Sequence, residues 1–174
     1  MEKFPAIFID RDGTINLDGG YINDEQNFVL YPFAAQAIRM INTQKWLAIV
    51  VTNQSGIGRG FYTIEVMHRL HAKMTAELNA QGAHVDGIYY CPHDPSSKIE
   101  EYRKDCDCRK PKTGMLEQAI RDLALKGIAV DTSRMAIIGD KYSDMQAGFA
   151  MNGDNVSLNP QGINPCSTDM VNTG

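Results

Sequence analysis

Three short apolar runs, Ala6 to Ile9, Leu47 to Val51 and Met135 to Ile138, each stop at a polar or Gly-rich turn. Buried parallel strands show this pattern, because a strand covered on both faces has no use for polar alternation. Between the runs lie residues of helical period: Phe33, Ala37, Ile38 and Ile41, then Met67, Leu70, Met74 and Leu78, then Leu116, Ala119, Ile120 and Leu123. Apolar side chains three and four apart share one helix face and bury it. Thr63 is placed to cap the second helix, and Gly82 and Gly127 to end the second and third. Alternation of this kind predicts an α/β fold, a parallel sheet with helices on both faces, whose ligands bind at the carboxyl ends of the strands. The polar motifs of this chain fall at those ends. Residues 152 to 174 are rich in Asn, Pro, Gly and Ser; Asn155 to Leu158 can form a last strand, with no regular structure expected in the remainder.

A chain of 174 residues fits one domain, residues 1–174, able to bury a core without disulfides. Its 17 Lys and Arg against 21 Asp and Glu give a net charge of −4, which leaves no broad basic surface for nucleic acid or anionic lipid. A small molecule is the expected partner. The longest aliphatic run, Leu47 to Val51, is far too short to span a membrane, and the N-terminus carries no basic and apolar leader pattern. A cytoplasmic location is the resulting expectation, and nothing in the helical patterns points to an extended interface, so a monomer is expected.

Asp10-Arg11-Asp12-Gly13-Thr14 follows the first apolar run directly, bringing two carboxylates out together at a strand end. A divalent cation offsets their repulsion, and hard oxygen ligands around an open site suit Mg²⁺. Asp10 can then act as a nucleophile, while Asp12 protonates a leaving alkoxide and later deprotonates the attacking water. Taken alone, Asp-x-Asp-Gly reads more readily as a polar turn. The second strand leads into Thr52-Asn53-Gln54-Ser55-Gly56-Ile57-Gly58-Arg59-Gly60, whose hydroxyl, amides and glycines can cradle a phosphoryl group or serve as an ordinary loop. It lacks the Gly-Lys-Ser/Thr ending of a nucleotide-binding P-loop. The third strand ends in Gly139-Asp140-Lys141-Tyr142-Ser143-Asp144, where Asp140 is a further Mg²⁺ candidate and Asp144 either caps the next helix or positions Lys141.

Arg109-Lys110-Pro111-Lys112 precedes the third helix and offers compact positive charge; with Pro111 starting that helix, the run would lie at its N-terminus, where anions are favoured. Cys91, His93, Cys106 and Cys108 form two close pairs joined by a loop, a plausible ligand set for tetrahedral, structural Zn²⁺ in the segment 91–108. Thiol redox chemistry at Cys106 and Cys108 is a weaker reading, since the spacing is not Cys-x-x-Cys. Cys166 stands apart. His68, His71 and His84 read as helix-surface or loop residues.

The order Asp-x-Asp-Gly-Thr, Thr-Asn-Gln-Ser-Gly, Arg-Lys-Pro and Gly-Asp resembles the haloacid dehalogenase superfamily over roughly residues 4 to 151, and within it the histidinol-phosphatase-like branch. Phe-Ile-Asp-Arg-Asp-Gly-Thr-Ile-Asn, Gly-Ile-Tyr-Tyr-Cys-Pro-His and Cys-Asp-Cys-Arg-Lys-Pro-Lys are most similar to the bacterial D-glycero-D-manno-heptose 1,7-bisphosphate 7-phosphatases. The resemblance implies a Rossmann-like sheet with little or no cap, Asp10 as nucleophile and Asp12 as acid and base. It implies that Thr52 and Lys110 stabilise the phosphoryl group, that Arg109 recognises substrate, and that Asp10, Asp12 and Asp140 hold Mg²⁺. It adds substrate contacts at Asp18, Gly19, Gly20 and Tyr21 and at Thr52, Asn53, Gln54 and Ser55, with Zn²⁺ at Cys91, His93, Cys106 and Cys108. Histidinol-phosphate phosphatases have a shorter gap in the zinc loop, so the stretch Asp94 to Asp105 favours the heptose enzymes. A zinc-stabilised binding module without catalysis is the alternative from another class. The departure from the family pattern begins after Met151, with Asn152-Gly153-Asp154.

Overall fold

A computed structural model describes residues 2–151 and 154–157. The chain alternates β1 (Lys3–Ile9), α1 (Ala34–Thr43), β2 (Leu47–Asn53), α2 (Ile64–Ala80), β3 (Gly87–Cys91), α3 (Gly114–Leu125), β4 (Ala129–Gly139), α4 (Tyr142–Ala150) and β5 (Asp154–Ser157). The five strands form one sheet in the order β3-β2-β1-β4-β5, every pair parallel. Each of the three predicted strands is present and longer than its apolar run. The predicted last strand is β5, although Leu158 and the tail beyond it lie outside the described residues.

The strand β3 was not among the predicted runs. Its Gly-Ile-Tyr-Tyr-Cys stretch lies at the sheet edge, with only Cys91 fully buried, so it lacks the continuous aliphatic signature of a covered strand. By contrast, β2 is buried from Leu47 to Thr52, and truncating Ile49 to Ala would cost about 2–5 kcal/mol in lost burial and cavity formation.

Alternate strand residues face opposite layers. Phe8, Ile49, Val51 and Ile137 pack with Met115, Leu116, Ala119 and Leu123 of α3 and Met145 and Ala147 of α4. On the other face Ile9, Ala48 and Val50 pack with Ala35 and Ile38 of α1 and Leu70, Met74 and Leu78 of α2. Helices therefore cover both faces, as right-handed crossovers require when the chain winds from β1 to β3 and then returns to β4. Thr63 caps α2 by accepting from Val66 N at 3.3 Å. Gly82 and Gly127 follow the ends of α2 and α3 with φ of +75° and +81°, the left-handed stop expected of them. The helix α3 begins at Gly114, three residues after Pro111, which follows a cis peptide bond. Pro111 is therefore a turn residue and does not start the helix. No described helix is long and apolar enough to cross a membrane.

The reversal of strand order lies between β1 and β4, and the crevice at such a switch point opens at their carboxyl ends. Ile9 is level with Val50 and Ile138, and Asn53 with Cys91. The polar segments following β1, β2, β3 and β4 thus converge on one edge.

Candidate active site

Asp10 emerges from β1 still tied to the sheet, its N–H donating to Ile138 O at 2.9 Å. The chain then turns sharply, with the N–H groups of Thr14, Ile15 and Asn16 all pointing at Arg11 O. Gly13 makes this turn with φ +82°, and a Cβ there would stand 2.3 Å from Asp140 Oδ2. Glycine is needed twice over, for the backbone angle and for the room it leaves the carboxylate.

Asp10, Asp140 and Asp144 can each bring a carboxylate oxygen within 4.8 Å of the others. Burial, and then the neighbouring Asp10, push the Asp140 carboxyl up to about 7; the same two causes raise Asp144. Asp140 Oδ1 is buried with no hydrogen-bond partner. Three crowded acids with an orphaned oxygen suit a hard divalent cation, which would lower their repulsion and fill the vacant acceptor.

Lys110 neutralises part of this charge. Its Nζ donates to Asp10 Oδ1 at 2.9 Å, Asp144 Oδ1 at 2.5 Å and Val51 O at 2.7 Å, using all three ammonium protons. Burial opposes the charge on Lys110, but Asp10 and Asp144 outweigh it and raise its pKa above the ordinary lysine value. Asn53 clamps the same residue through its backbone, donating to Lys110 O and accepting from Lys110 N, both at 3.0 Å. The expected helix-terminal position of Lys110 is thus replaced by a direct ion pair. Asp144 also takes the capping role suggested for it, its Oδ2 accepting from Lys141 N at 3.1 Å at the start of α4.

Asp12 stands apart from the acidic cluster. Its carboxylate accepts from Arg11 Nη2 at 2.9 Å, Asn16 Nδ2 at 2.9 Å and Gln54 Nε2 at 2.9 Å. Burial would raise its pKa, but Arg11, Asn16 and Gln54 prevail and hold it below the usual carboxylate value. Asp12, expected to hold Mg²⁺ with Asp10 and Asp140, keeps its carboxylate on these three donors, while Asp144 joins Asp10 and Asp140 in the carboxylate cluster. Gln54 links the two halves of the site: it donates also to Thr52 Oγ1 at 2.8 Å and accepts from Tyr62. Arg11 is fully buried and donates from Nη1 toward His71 Nε2 at 3.1 Å. The reading of His71 as a surface residue is corrected here. It lies four residues after Met67 and three before Met74, on the buried stripe of α2, and burial followed by Arg11 pushes its pKa down to about 3. That helical spacing was the signal that sequence reasoning missed.

Asp10, Asp12, Thr52, Asn53, Lys110, Lys141, Ser143 and Asp144 line a small pocket. Around its entrance the segment Asp18 to Tyr21 is exposed; Asp18 accepts from Gly20 N and lies 3.8 Å from Lys141 Nζ. Tyr21 stacks on Phe61 with ring centroids 4.3 Å apart. Gly19 is exposed with open space around it, and Ser55 is half-buried in the Gly-rich loop. Arg109 donates to His93 O at 3.1 Å and lies 3.5 Å from Asp94 Oδ2.

The Cys loop forms a second cluster. Cys91, His93, Cys106 and Cys108 bring their ligand atoms within 4.8 Å of one another, and these three cysteines form no disulfide. Sγ separations of 2.8, 3.3 and 3.4 Å approach the roughly 3.7 Å edge of a tetrahedron with metal–sulfur bonds of about 2.3 Å. His93 presents Nδ1, 3.2 Å from Cys108 Sγ and 3.6 Å from Cys91 Sγ. The donor set is soft and closed, and it fits a tetrahedral metal ion.

An aspartate at a strand end, a buried lysine, an acidic cation site and a second carboxylate held nearby define an α/β phosphatase. The model for polynucleotide kinase 3 phosphatase matches residues 7–156. D-glycero-beta-D-manno-heptose-1,7-bisphosphate 7-phosphatase of Haemophilus influenzae is 42% identical over 88% of this chain and 79% of its own length. The same-named protein of Escherichia coli K12 is 45% identical over 87% of this chain and 76% of its own. The crystal structure of D,D-heptose 1,7-bisphosphate phosphatase from B. bronchiseptica, complexed with magnesium and phosphate, has a TM-score of 0.75 and 30% identity. It aligns with 87% of this chain and 79% of that one. The chain belongs to the haloacid dehalogenase phosphatases, and its enzymatic class is phosphoric monoester hydrolase.

Proposed function

We propose that this protein removes the C7 phosphate of D-glycero-β-D-manno-heptose 1,7-bisphosphate through an aspartyl-phosphate on Asp10. The observation that carries the reading is the Asp10 carboxylate, buried at the switch point and held by Lys110 Nζ at 2.9 Å. The names and identities of the relatives supply the substrate.

Asp10 attacks phosphorus in line as the bond to the sugar oxygen breaks, and Asp12 in its acid form gives that oxygen a proton. Asp12, now a carboxylate, takes a proton from the water that attacks phosphorus and displaces Asp10. Its contacts with Arg11 and Gln54 favour the base form, so the first step requires Asp12 to turn from them and take up a proton. Thr52 and Lys110 face the equatorial oxygens. Asp10 and Asp140 would hold Mg²⁺ with Asp144 beside them, and the ion would neutralise charge on the phosphoryl group. Cys91, His93, Cys106 and Cys108 would hold structural Zn²⁺. Asp18 to Tyr21, Asn53, Gln54, Ser55 and Arg109 provide substrate contacts, in a cytoplasmic, single-domain monomer.

The test is phosphate release with Mg²⁺ from both anomers of the bisphosphate, beside histidinol phosphate and a 3′-phosphorylated oligonucleotide. Preference for the β-anomer, abolished in Asp10→Asn while the protein remains folded, is the expected result. Turnover of Asp10→Asn at the wild-type rate would remove Asp10 from the nucleophile role, and preference for another substrate would replace the heptose assignment.

A further inference from the structure

Two buried arms hold the Asp12 carboxylate. The first is Arg11, which reaches Asp12 Oδ1 through Nε at 3.1 Å and Nη2 at 2.9 Å, and sets its Nη1 3.1 Å from His71 Nε2. The second is Gln54, whose Nε2 donates to Asp12 Oδ2 at 2.9 Å and whose Oε1 accepts from the Tyr62 hydroxyl. Tyr62 immediately precedes Thr63, the cap of α2, and His71 lies within that helix, so one segment backs both arms.

The second arm has a fixed polarity. A carboxylate can only accept, so the Gln54 amide must turn Nε2 toward Asp12 and Oε1 away from it. Oε1 then faces Tyr62, whose phenol has a proton to give, and Arg11 Nη2 at 3.4 Å, which can only donate. Burial raises the Tyr62 pKa above its ordinary value, so the phenol keeps that proton. Gln54 Nε2 also donates to Thr52 Oγ1 at 2.8 Å, which leaves the threonine's own hydroxyl proton for an acceptor in the pocket that Thr52 lines with Asp10 and Asp12. One phenol thus orders three polar groups in turn. The fold is shaped around this contact: Tyr62 is buried beside Ile57 and Met67, and a Cβ on Gly56 would run into the Tyr62 ring. The Gln54 backbone is tied at both ends, its N donating to Cys91 O at 2.7 Å and its O accepting from Ile57 N at 3.2 Å.

We propose that Tyr62 is a positioning residue, acting through Gln54 to hold the Asp12 carboxylate in its base arrangement and the Thr52 hydroxyl proton toward the phosphoryl group. The inference rests on the reading of Asp12 as acid and base and of Thr52 as a phosphoryl contact. It adds a residue whose hydroxyl bonds to neither of them. Phenylalanine would fill the same apolar space, so what the phenol contributes is the donor. Without that donor the Gln54 amide can turn over, which would set its Oε1 against an Asp12 oxygen and leave two acceptors face to face.

The test is steady-state kinetics on the β-heptose 1,7-bisphosphate with Mg²⁺, with the melting temperature of each variant recorded. In Tyr62→Phe kcat should fall about 3- to 10-fold, the range of one lost neutral hydrogen bond, while KM stays within about twofold. Gln54→Leu removes a donor to a charged group and should lower kcat about 10- to 100-fold. Because Tyr62 acts through Gln54, the double variant should be no slower than Gln54→Leu alone. Gln54→Glu keeps the acceptor toward Tyr62 and removes the donor toward Asp12, and should lose at least as much as Gln54→Leu. An unchanged kcat in Tyr62→Phe, a raised KM in place of a lowered kcat, additive losses in the double variant, or wild-type turnover in Gln54→Glu would each overturn the inference and leave the phosphatase reading intact. Wild-type turnover in Asp12→Asn, assayed alongside, would overturn the acid and base reading itself.

Discussion

The acidic crevice and the Cys loop begin at the same end of the sheet, where Asn53 and Cys91 are paired neighbours on β2 and β3. The crevice collects hard oxygen donors and leaves one of them, Asp140 Oδ1, without a partner. The loop collects three sulfurs and one nitrogen that all lie within 4.8 Å of one another. An exchangeable cation needs the first kind of site, open to substrate oxygens, whereas a structural ion needs the second, closed to solvent. The loop has few apolar residues with which to fold, yet it delivers Lys110 to the crevice. The comparison teaches that, under the proposed function, one cluster would carry the chemistry and the other would fix the backbone that supplies its cation.

The largest expected effect breaks the crevice from within. Lys110→Met leaves Asp10 and Asp144 buried beside an apolar chain, and removing one partner of a buried pair costs about 3–5 kcal/mol. Denaturant unfolding should show that loss together with the disappearance of turnover; stability within about 1 kcal/mol of wild type, a bound set by the spread of ordinary surface substitutions, would refute the central role of the ion pair. Next comes the loop. Cys106→Ser should abolish zinc content and lower Tm by about 5–10 °C, the shift that 2–3 kcal/mol produces in a chain of this size. Withdrawing Mg²⁺ should instead stop turnover reversibly with little change in Tm. Equal thermal losses from both treatments would erase the distinction between the sites.

Gly13→Ala is a finer probe. The positive φ alone costs about 1–2 kcal/mol for a residue with a Cβ, and the new methyl must displace the Asp140 carboxylate. Mg²⁺ affinity measured by calorimetry should therefore fall, while zinc content stays at the wild-type value. The smallest effect belongs to His71, beneath Arg11. Its pKa falls from 6.5 to about 3 on folding, so the unfolded chain binds the proton first and stability declines as pH drops below about 6.5. Between pH 7.5 and 5.5 this amounts to about 1.4 kcal/mol. His71→Gln should flatten that part of the stability profile, as read from denaturation midpoints; an unaltered slope would place the pH dependence elsewhere.

Much of the scaffold was legible in the chain. The aliphatic runs of β1, β2 and β4 and the helical stripes of α1, α2 and α3 report burial directly, because covered strands and half-covered helices select different periodicities. The sheet-edge strand β3 was not legible, since its tyrosines are only half-buried. His71 was overlooked because the stripe was traced through Leu70, although residue 71 lies on the buried side as well. Of the candidate site, the gathering of Asp10, Thr52, Lys110 and Asp140 followed from their places after strands or before α3 in a parallel sheet.

By itself the sequence determined that these groups meet, because successive parallel strands end on one side and carry whatever follows them to a common edge. It also determined the composition of the soft cluster, since the two close pairs leave few other ways to group. Only the tertiary structure decided which carboxylate faces which partner. Asp12 is drawn aside by its neighbours Arg11 and Asn16 together with Gln54, 42 residues later, and Asp144 is drawn inward by Lys110, 34 residues earlier. Side-chain direction at a strand end is set by the partners nearest in space, and no local spacing records that Gln54 and Lys110 will be among them.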